Sequence, residues 1–175
     1  MLELYLGGAR SGKSRLAEAR ARASGLELVY IATATAGDTE MAARIAAHQS
    51  DRAGCGWLTV EAPEALAAAI REHASAQRCI LVDCLTLWLS NWLIKEDAQQ
   101  WQRIKDELLA LLEGIPGRVI LVSNEVGQGV VPMGALSRQF VDESGRLHQD
   151  IAQLADRVVL VTAGLEQILK GHNSE

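Results

Sequence analysis

MLELYLGGARSGKS, residues 1–14, joins a short apolar run to a glycine-rich loop. Gly7, Gly8, Ala9, Arg10, Ser11, Gly12, Lys13 and Ser14 fit the phosphate-binding pattern GxxxxGK[ST]. Glycines at these positions let the backbone curl so that successive N–H groups point at phosphate oxygens. Lys13 reaches the β- and γ-phosphates in such a loop, and the Ser14 hydroxyl is placed to ligate Mg²⁺. The helix-like SRLAEARARA that follows completes a strand–loop–helix unit. These features predict binding of a nucleoside triphosphate.

Working outward, short apolar runs recur at 2–6, 28–32, 79–82, 119–122 and 158–161. They read as strands buried on both faces, and Ala/Leu/Glu/Arg-rich stretches between them read as helices. The alternation predicts an α/β fold, a P-loop NTPase-type mostly parallel sheet of RecA-like kind with helices on both faces. The first helix is expected from Lys13 to Ala23, ending near Gly25. A second is expected to start at Asp38 or Thr39 and run through EMAARIAAHQ, and a third to open at Pro63. Residues 57–60 are a further strand candidate. LTLWLSNWLI reads as a helix whose Trp88 and Trp92 share one face, with core or interface packing favoured over base stacking. WQRIKDELLALLEG is an amphipathic helix, NEVGQGVVPMG a loop, and LSRQFVDESGRLHQDIAQLA helical in part. Residues 1–170 form one expected nucleotide-binding domain, with 171–175 a frayed tail.

Composition narrows the class. The chain has 175 residues, 49% hydrophobic and 22% charged, with a formal net charge of −5. That length fits one core, and the acidic balance argues against a nucleic-acid backbone as the ligand. No apolar stretch approaches membrane-spanning length, and the first strand begins without a basic leader, so a cytoplasmic enzyme with no membrane insertion is expected. Cys55, Cys79 and Cys84 match no metal-ligand spacing and read as reduced thiols, the last two buried.

Several further residues are candidates for chemistry. Asp83 ends the 79–82 run, where phosphate-loop enzymes place a carboxylate that holds Mg²⁺ opposite the loop hydroxyl. Arg10 and Arg15 flank the anion site, and each is either a ligand contact or a solvated side chain. Glu40, Arg44 and His48 recur every four positions and stack on one helix face. That pattern fits a surface salt-bridged face, or a neutral imidazole that attacks an α-phosphate. Asn124 and Glu125 follow a strand directly and fit either ligand contacts or a turn. His73 and His148 sit in helical stretches with no catalytic partner evident, and His172 lies in the tail.

With these residues in hand, the chain closely resembles the bifunctional adenosylcobinamide kinase/adenosylcobinamide-phosphate guanylyltransferase family of cobalamin biosynthesis. The likeness runs from the first strand to about Gly164. It rests on GGARSGKS at 7–14, YIATA at 30–34, DTEMAARIAAHQ at 38–49, Asp83 followed by LTLWLSN, and SNEVGQGVVP at 123–132. The resemblance implies two reactions. The enzyme phosphorylates the aminopropanol hydroxyl of adenosylcobinamide with ATP or GTP. It then transfers GMP from GTP to that phosphate, giving adenosylcobinamide-GDP through a guanylylated histidine. The family's nucleophile aligns with His48, its Mg²⁺-associated carboxylate with Asp83, and its post-strand pair with Asn124 and Glu125. Thr33, Glu40 and Arg44, inside matched motifs, are further candidate contacts to substrate or nucleotide. The resemblance also implies a homotrimer with active sites near subunit boundaries.

Two departures stand out. Many relatives have a second histidine before the nucleophile, where this chain has Ala47, so His48 alone can serve here. DRAGCGW at 51–57 also lacks a proline common in the family, which bears on the turn rather than the chemistry. The competing readings are a simple small-molecule kinase with a structural His48, and a nucleotide-dependent switch or assembly module.

Overall fold

The apolar runs become strands of one sheet. The computed structural model describes residues 1–35 and 56–172. Along the chain come β1 (Leu2–Gly7), α1 (Lys13–Arg22), β2 (Glu27–Ala32), β3 (Trp57–Glu61), α2 (Leu66–His73), β4 (Arg78–Asp83) and α3 (Leu85–Leu93). There follow α4 (Ala98–Leu112), β5 (Arg118–Asn124), α5 (Ala135–Leu154), β6 (Arg157–Thr162) and β7 (Leu165–Lys170). The strands form a seven-stranded sheet in the order β3-β2-β4-β5-β1-β6-β7. Neighbouring strands run parallel except β6 and β7.

Strand alternation divides the core into two layers. Leu4 and Leu6 of β1 join Ile31, Val82 and Leu121 beneath α2, α3, α4 and α5. Tyr5 faces the other way, with Tyr30, Leu81, Val122 and Val161, against Ala17 and Ala21 of α1. The sheet is therefore covered on both faces, and its open polar edge is the one where β1, β4 and β5 end. The expected second helix lies outside the described residues, as does Cys55.

Three details depart from the sequence expectation. α2 starts at Leu66 rather than Pro63. The indoles of Trp88 and Trp92 both donate to the Glu64 carbonyl, and Asn91 Nδ2 donates to that of Pro63, so α3 holds residues 63–64 as a turn. Both indoles are thus core anchors rather than base-stacking platforms. α5 is one continuous helix of 20 residues through Gly145, because Ser144, Leu147, His148 and Ile151 are all buried along one face. β7 was not expected. It returns antiparallel after a two-residue turn in which Ala163 (φ 54) and Gly164 (φ 79) both lie in the left-handed region, the geometry that joins hairpin strands tightly.

Candidate functional site

The loop after β1 is shaped by close approach. A side chain at Gly7 would stand 2.5 Å from both Ser11 Oγ and the Val161 carbonyl, so the loop closes only over glycine. Ser11 N–H donates to the Gly8 carbonyl at 3.2 Å, and the Ser11 carbonyl accepts from Gly164 N–H at 2.8 Å. The β6–β7 turn thus braces the loop from one side. On the other side Glu125 N–H donates to the Gly7 carbonyl at 3.0 Å. Gly12, at φ 96, leads into α1 with no side-chain cap and no acidic residue in the first turn. The N-terminal amides of α1 therefore remain available to an anion, at the positive end of the helix dipole.

Lys13 is buried, and its ammonium donates to the Gly8 carbonyl at 3.3 Å. Ser14 follows at the helix start, half-buried, while Arg10 is exposed at φ 56 and Ala9 is exposed beside it. Ser11 Oγ is buried with no hydrogen-bond partner among the described residues. Backbone amides, an ammonium and a hydroxyl around one curled loop form a donor set for phosphate oxygens.

Register brings the other candidates to the same edge. Gly7 lies opposite Asn124 and Asp83 opposite Val122, with β5 between β1 and β4. Asp83 is half-buried at the end of β4. Its carboxylate and the Ser14 hydroxyl are hard oxygen donors, and the described residues hold no cluster of three or more His, Cys, Asp or Glu side chains. Hard oxygen donors are the kind that Mg²⁺ takes alongside water and phosphate oxygens.

Thr33 has a different setting. It is fully buried, donates its hydroxyl proton to the Cys84 carbonyl at 2.6 Å and accepts from Cys84 N–H at 2.9 Å. It clamps the chain just after Asp83. The Cys84 thiol is raised to about 11, first by burial and then by the Asp83 charge, and burial raises Cys79 similarly to about 11. Burial therefore disfavours the thiolate form of both.

The structure also assembles a group that spacing could not reveal. His148 Nε2 is 2.7 Å from Ser123 Oγ, and its Nδ1 is 3.9 Å from Glu125 Oε2. Ser123 Oγ lies 3.2 Å from Thr86 Oγ1, which accepts from Asn124 N–H at 2.7 Å. Glu125 Oε1 accepts from Gly127 N–H at 2.6 Å. Partners 25 residues apart carry no sequence pattern; the nearest cue was a histidine on a buried helix face. Glu40, Arg44 and His48 lie outside the described residues.

Beyond this edge, the loop 125–134 exposes Val130 (94%), Val131 (74%) and Met133 (97%). Beneath it an open groove of about 390 Å³ is lined by Leu93, Ile94, Pro132, Leu136 and Phe140, among others. No described helix is long and apolar enough to cross a membrane.

Residues 3–169 match the family described as cobinamide kinase / cobinamide phosphate guanyltransferase. The chain is 57% identical over 171 residues to the bifunctional adenosylcobalamin biosynthesis protein CobP of Pseudomonas aeruginosa, covering 98% of each chain. It is 40% identical to the bifunctional adenosylcobalamin biosynthesis protein CobU of Salmonella typhimurium, over 94% of this chain and 97% of that one. Among solved structures, the RadB recombinase aligns with a TM-score of 0.51 at 14% identity, over 91% of this chain and 73% of the other. That likeness establishes the RecA-like fold and nothing about chemistry.

Proposed function

Since this chain belongs to the cobinamide kinase / cobinamide phosphate guanyltransferase family, and is a bifunctional enzyme of adenosylcobalamin biosynthesis, we propose that both its transfers start from a nucleoside triphosphate held on residues 7–14. In the first, ATP or GTP gives its γ-phosphoryl group to the aminopropanol hydroxyl of adenosylcobinamide. Lys13 and the amides of the loop offset the negative charge that spreads over the transferred group. Arg10, exposed on the loop, adds a cation at the mouth. Glu125 takes the proton of the attacking hydroxyl, and Asn124 orients that substrate. Ser14 and Asp83 would hold Mg²⁺, which when bound neutralises charge on the phosphate chain.

In the second transfer the nucleophile is His48. A neutral ring nitrogen attacks the α-phosphorus of GTP, the bond to the bridging oxygen breaks, and pyrophosphate leaves. An oxygen of adenosylcobinamide phosphate then displaces the histidine, giving adenosylcobinamide-GDP. Glu40 and Arg44, from the same matched motif as His48, contact the nucleotide, while Thr33 acts indirectly by fixing the turn after Asp83. The apolar surface of Val130, Val131 and Met133 supports a further reading, that this loop is covered by a neighbouring subunit of a homotrimer.

The observation that carries the nucleotide reading is the loop closed by Gly7, which leads into α1 at Lys13 beside the neighbouring strand ends that carry Asp83 and Glu125. His48 rests on the motif EMAARIAAHQ. Incubation with α-labelled GTP tests it: the wild-type protein should acquire acid-labile, alkali-stable label, as a phosphoramidate does. His48→Ala should acquire none while keeping substantial kinase activity. Labelling of His48→Ala at the wild-type rate and stoichiometry overturns the assignment.

A further inference from the structure

The hydrogen-bonded group around His148 has a direction. A backbone amide can only donate, so Asn124 N–H donates to Thr86 Oγ1 at 2.7 Å. If Ser123 also donated to Thr86, the Thr86 proton would lack an acceptor in this group. Ser123 would then accept from His148 Nε2–H, leaving a bare Nδ1 lone pair turned toward the Glu125 carboxylate. The arrangement that uses every proton runs from Thr86 to Ser123, across 3.2 Å, and from Ser123 to His148 Nε2, across 2.7 Å. It leaves a neutral imidazole with its proton on Nδ1, 3.9 Å from Glu125 Oε2. That separation is longer than a hydrogen bond, so the contact forms only when the Glu125 side chain turns toward the ring. The other carboxylate oxygen is already held by Gly127 N–H. Burial lowers the pKa of His148, and Glu125, the charged group that faces it, acts in the opposite sense.

We propose that His148 is a positioning residue for phosphoryl transfer: its Nδ1–H orients the Glu125 carboxylate beside the phosphate loop so that Oε2 meets the attacking hydroxyl. This rests on the reading of Glu125 as the proton acceptor. In the step concerned, the substrate hydroxyl oxygen bonds to the γ-phosphorus while the bond from that phosphorus to the β–γ bridging oxygen breaks. The nucleoside diphosphate leaves with the electron pair, and the hydroxyl proton passes to Glu125 Oε2. Thr86 and Ser123 fix the ring from α3 and β5. The proton acceptor is thereby tied to the helix that follows Asp83 and to α5.

Three variants of the full-length protein separate positioning from packing. The amide of His148→Asn falls near the Nδ1 site and can face Glu125, whereas that of His148→Gln falls near the Nε2 site and can satisfy only Ser123. His148→Leu satisfies neither. Kinase kcat, KM for ATP and melting temperature are measured for each with adenosylcobinamide as acceptor. Leu and Gln should lower kcat about tenfold or more, with KM for ATP within about threefold of wild type, and Asn should recover most of the loss. Melting temperature should follow the opposite order, Gln at or above Asn. Glu125→Gln combined with His148→Leu should be no slower than the worse single variant. If Gln exceeds Asn in both kcat and melting temperature, or if the double variant multiplies the two losses, His148 is only a packing residue. If Leu fails to fold, the Asn–Gln pair alone decides. Wild-type kcat in Glu125→Gln would remove the proton-acceptor reading itself. A slow Glu125→Gln beside three fast position-148 variants would remove only the role of His148.

Discussion

The two ends of the sheet both carry polar groups and use them differently. At the N-terminal end Glu3 is fully buried, with Arg20 at 3.1 Å, Arg118 at 3.6 Å and Arg157 at 3.9 Å. Arg157 also pairs with Glu166 and donates to the His172 carbonyl. Asp156 caps Leu2 N–H, and the terminal ammonium donates to the Gly117 carbonyl. This end closes on itself. At the C-terminal end the amides of α1 have no side-chain cap, Lys13 donates to a single carbonyl among the described residues, and Asp83 and Glu125 are only half-buried. Charges paired with one another fix the strands, while groups at the half-buried end can meet a ligand.

The largest effect should come from breaking the closed end. Glu3→Gln leaves three guanidinium groups without their shared carboxylate. Removal of one partner from a buried ion cluster costs about 3–5 kcal/mol. Since Arg20 and Arg118 side chains are each 21% exposed, the low end, about 3 kcal/mol, is expected in urea unfolding. Activity per folded molecule should stay at the wild-type value. A loss of turnover without loss of stability would break the distinction between the two ends.

Lys13→Ala is the mirror case. It removes a cation from the transferred phosphate and should lower turnover of both reactions by about a hundredfold, or about 3 kcal/mol at the transition state. The melting temperature should barely move, because the hydrogen bond that Lys13 makes among the described residues is to its own loop. Near-normal rates in the purified variant would rule out the role.

What the sequence disclosed follows the same division. Strands buried on both faces write continuous apolar runs, so β1, β2, β4, β5 and β6 were legible, and the loop motif marks its own strand–helix context. β7 was not, because an edge strand with mostly exposed residues, LEQILK, carries little apolar signal. Its turn uses Ala163 where Asn or Asp usually marks such a hairpin. Lys13, Ser14 and Asp83 were legible because a local motif or strand end places them. The contacts of Ser123, Thr86 and His148 arise from packing among β5, α3 and α5, which no spacing in the chain encodes. Thr33 sits in a matched motif, yet its hydroxyl is spent on Cys84.

A smaller effect is expected at Asp83, and it is confined to metal dependence. Asp83→Asn preserves size and removes one negative oxygen, so the Mg²⁺ concentration for half-maximal kinase activity should rise about tenfold or more. Metal-free nucleotide binding should change little. Mg²⁺ titration at fixed nucleotide measures the first quantity and calorimetry in chelator the second. An unchanged Mg²⁺ requirement would assign Asp83 to the closed, structural class.

The smallest effect sharpens the comparison through pH. The folded-state pKa of His148 is lowered from 6.5, first by burial, with Glu125 opposing. Above pH 6.5 the residue is neutral in both folded and unfolded chains, so its contribution to stability is fully present. As pH falls below 6.5 the unfolded chain takes up a proton that the folded chain resists. Stability therefore declines until the folded-state pKa is passed, and the contribution is then constant. Urea midpoints of the wild type should accordingly fall between pH 7 and pH 5.5 more than those of His148→Gln, which keeps a partner for Ser123 but has no proton to bind. Glu125→Gln removes the charge that supports the imidazolium and should extend the wild-type decline to lower pH. Parallel midpoint curves for the wild type and His148→Gln would mean that this histidine is solvated, and that the open end holds no buried neutral imidazole.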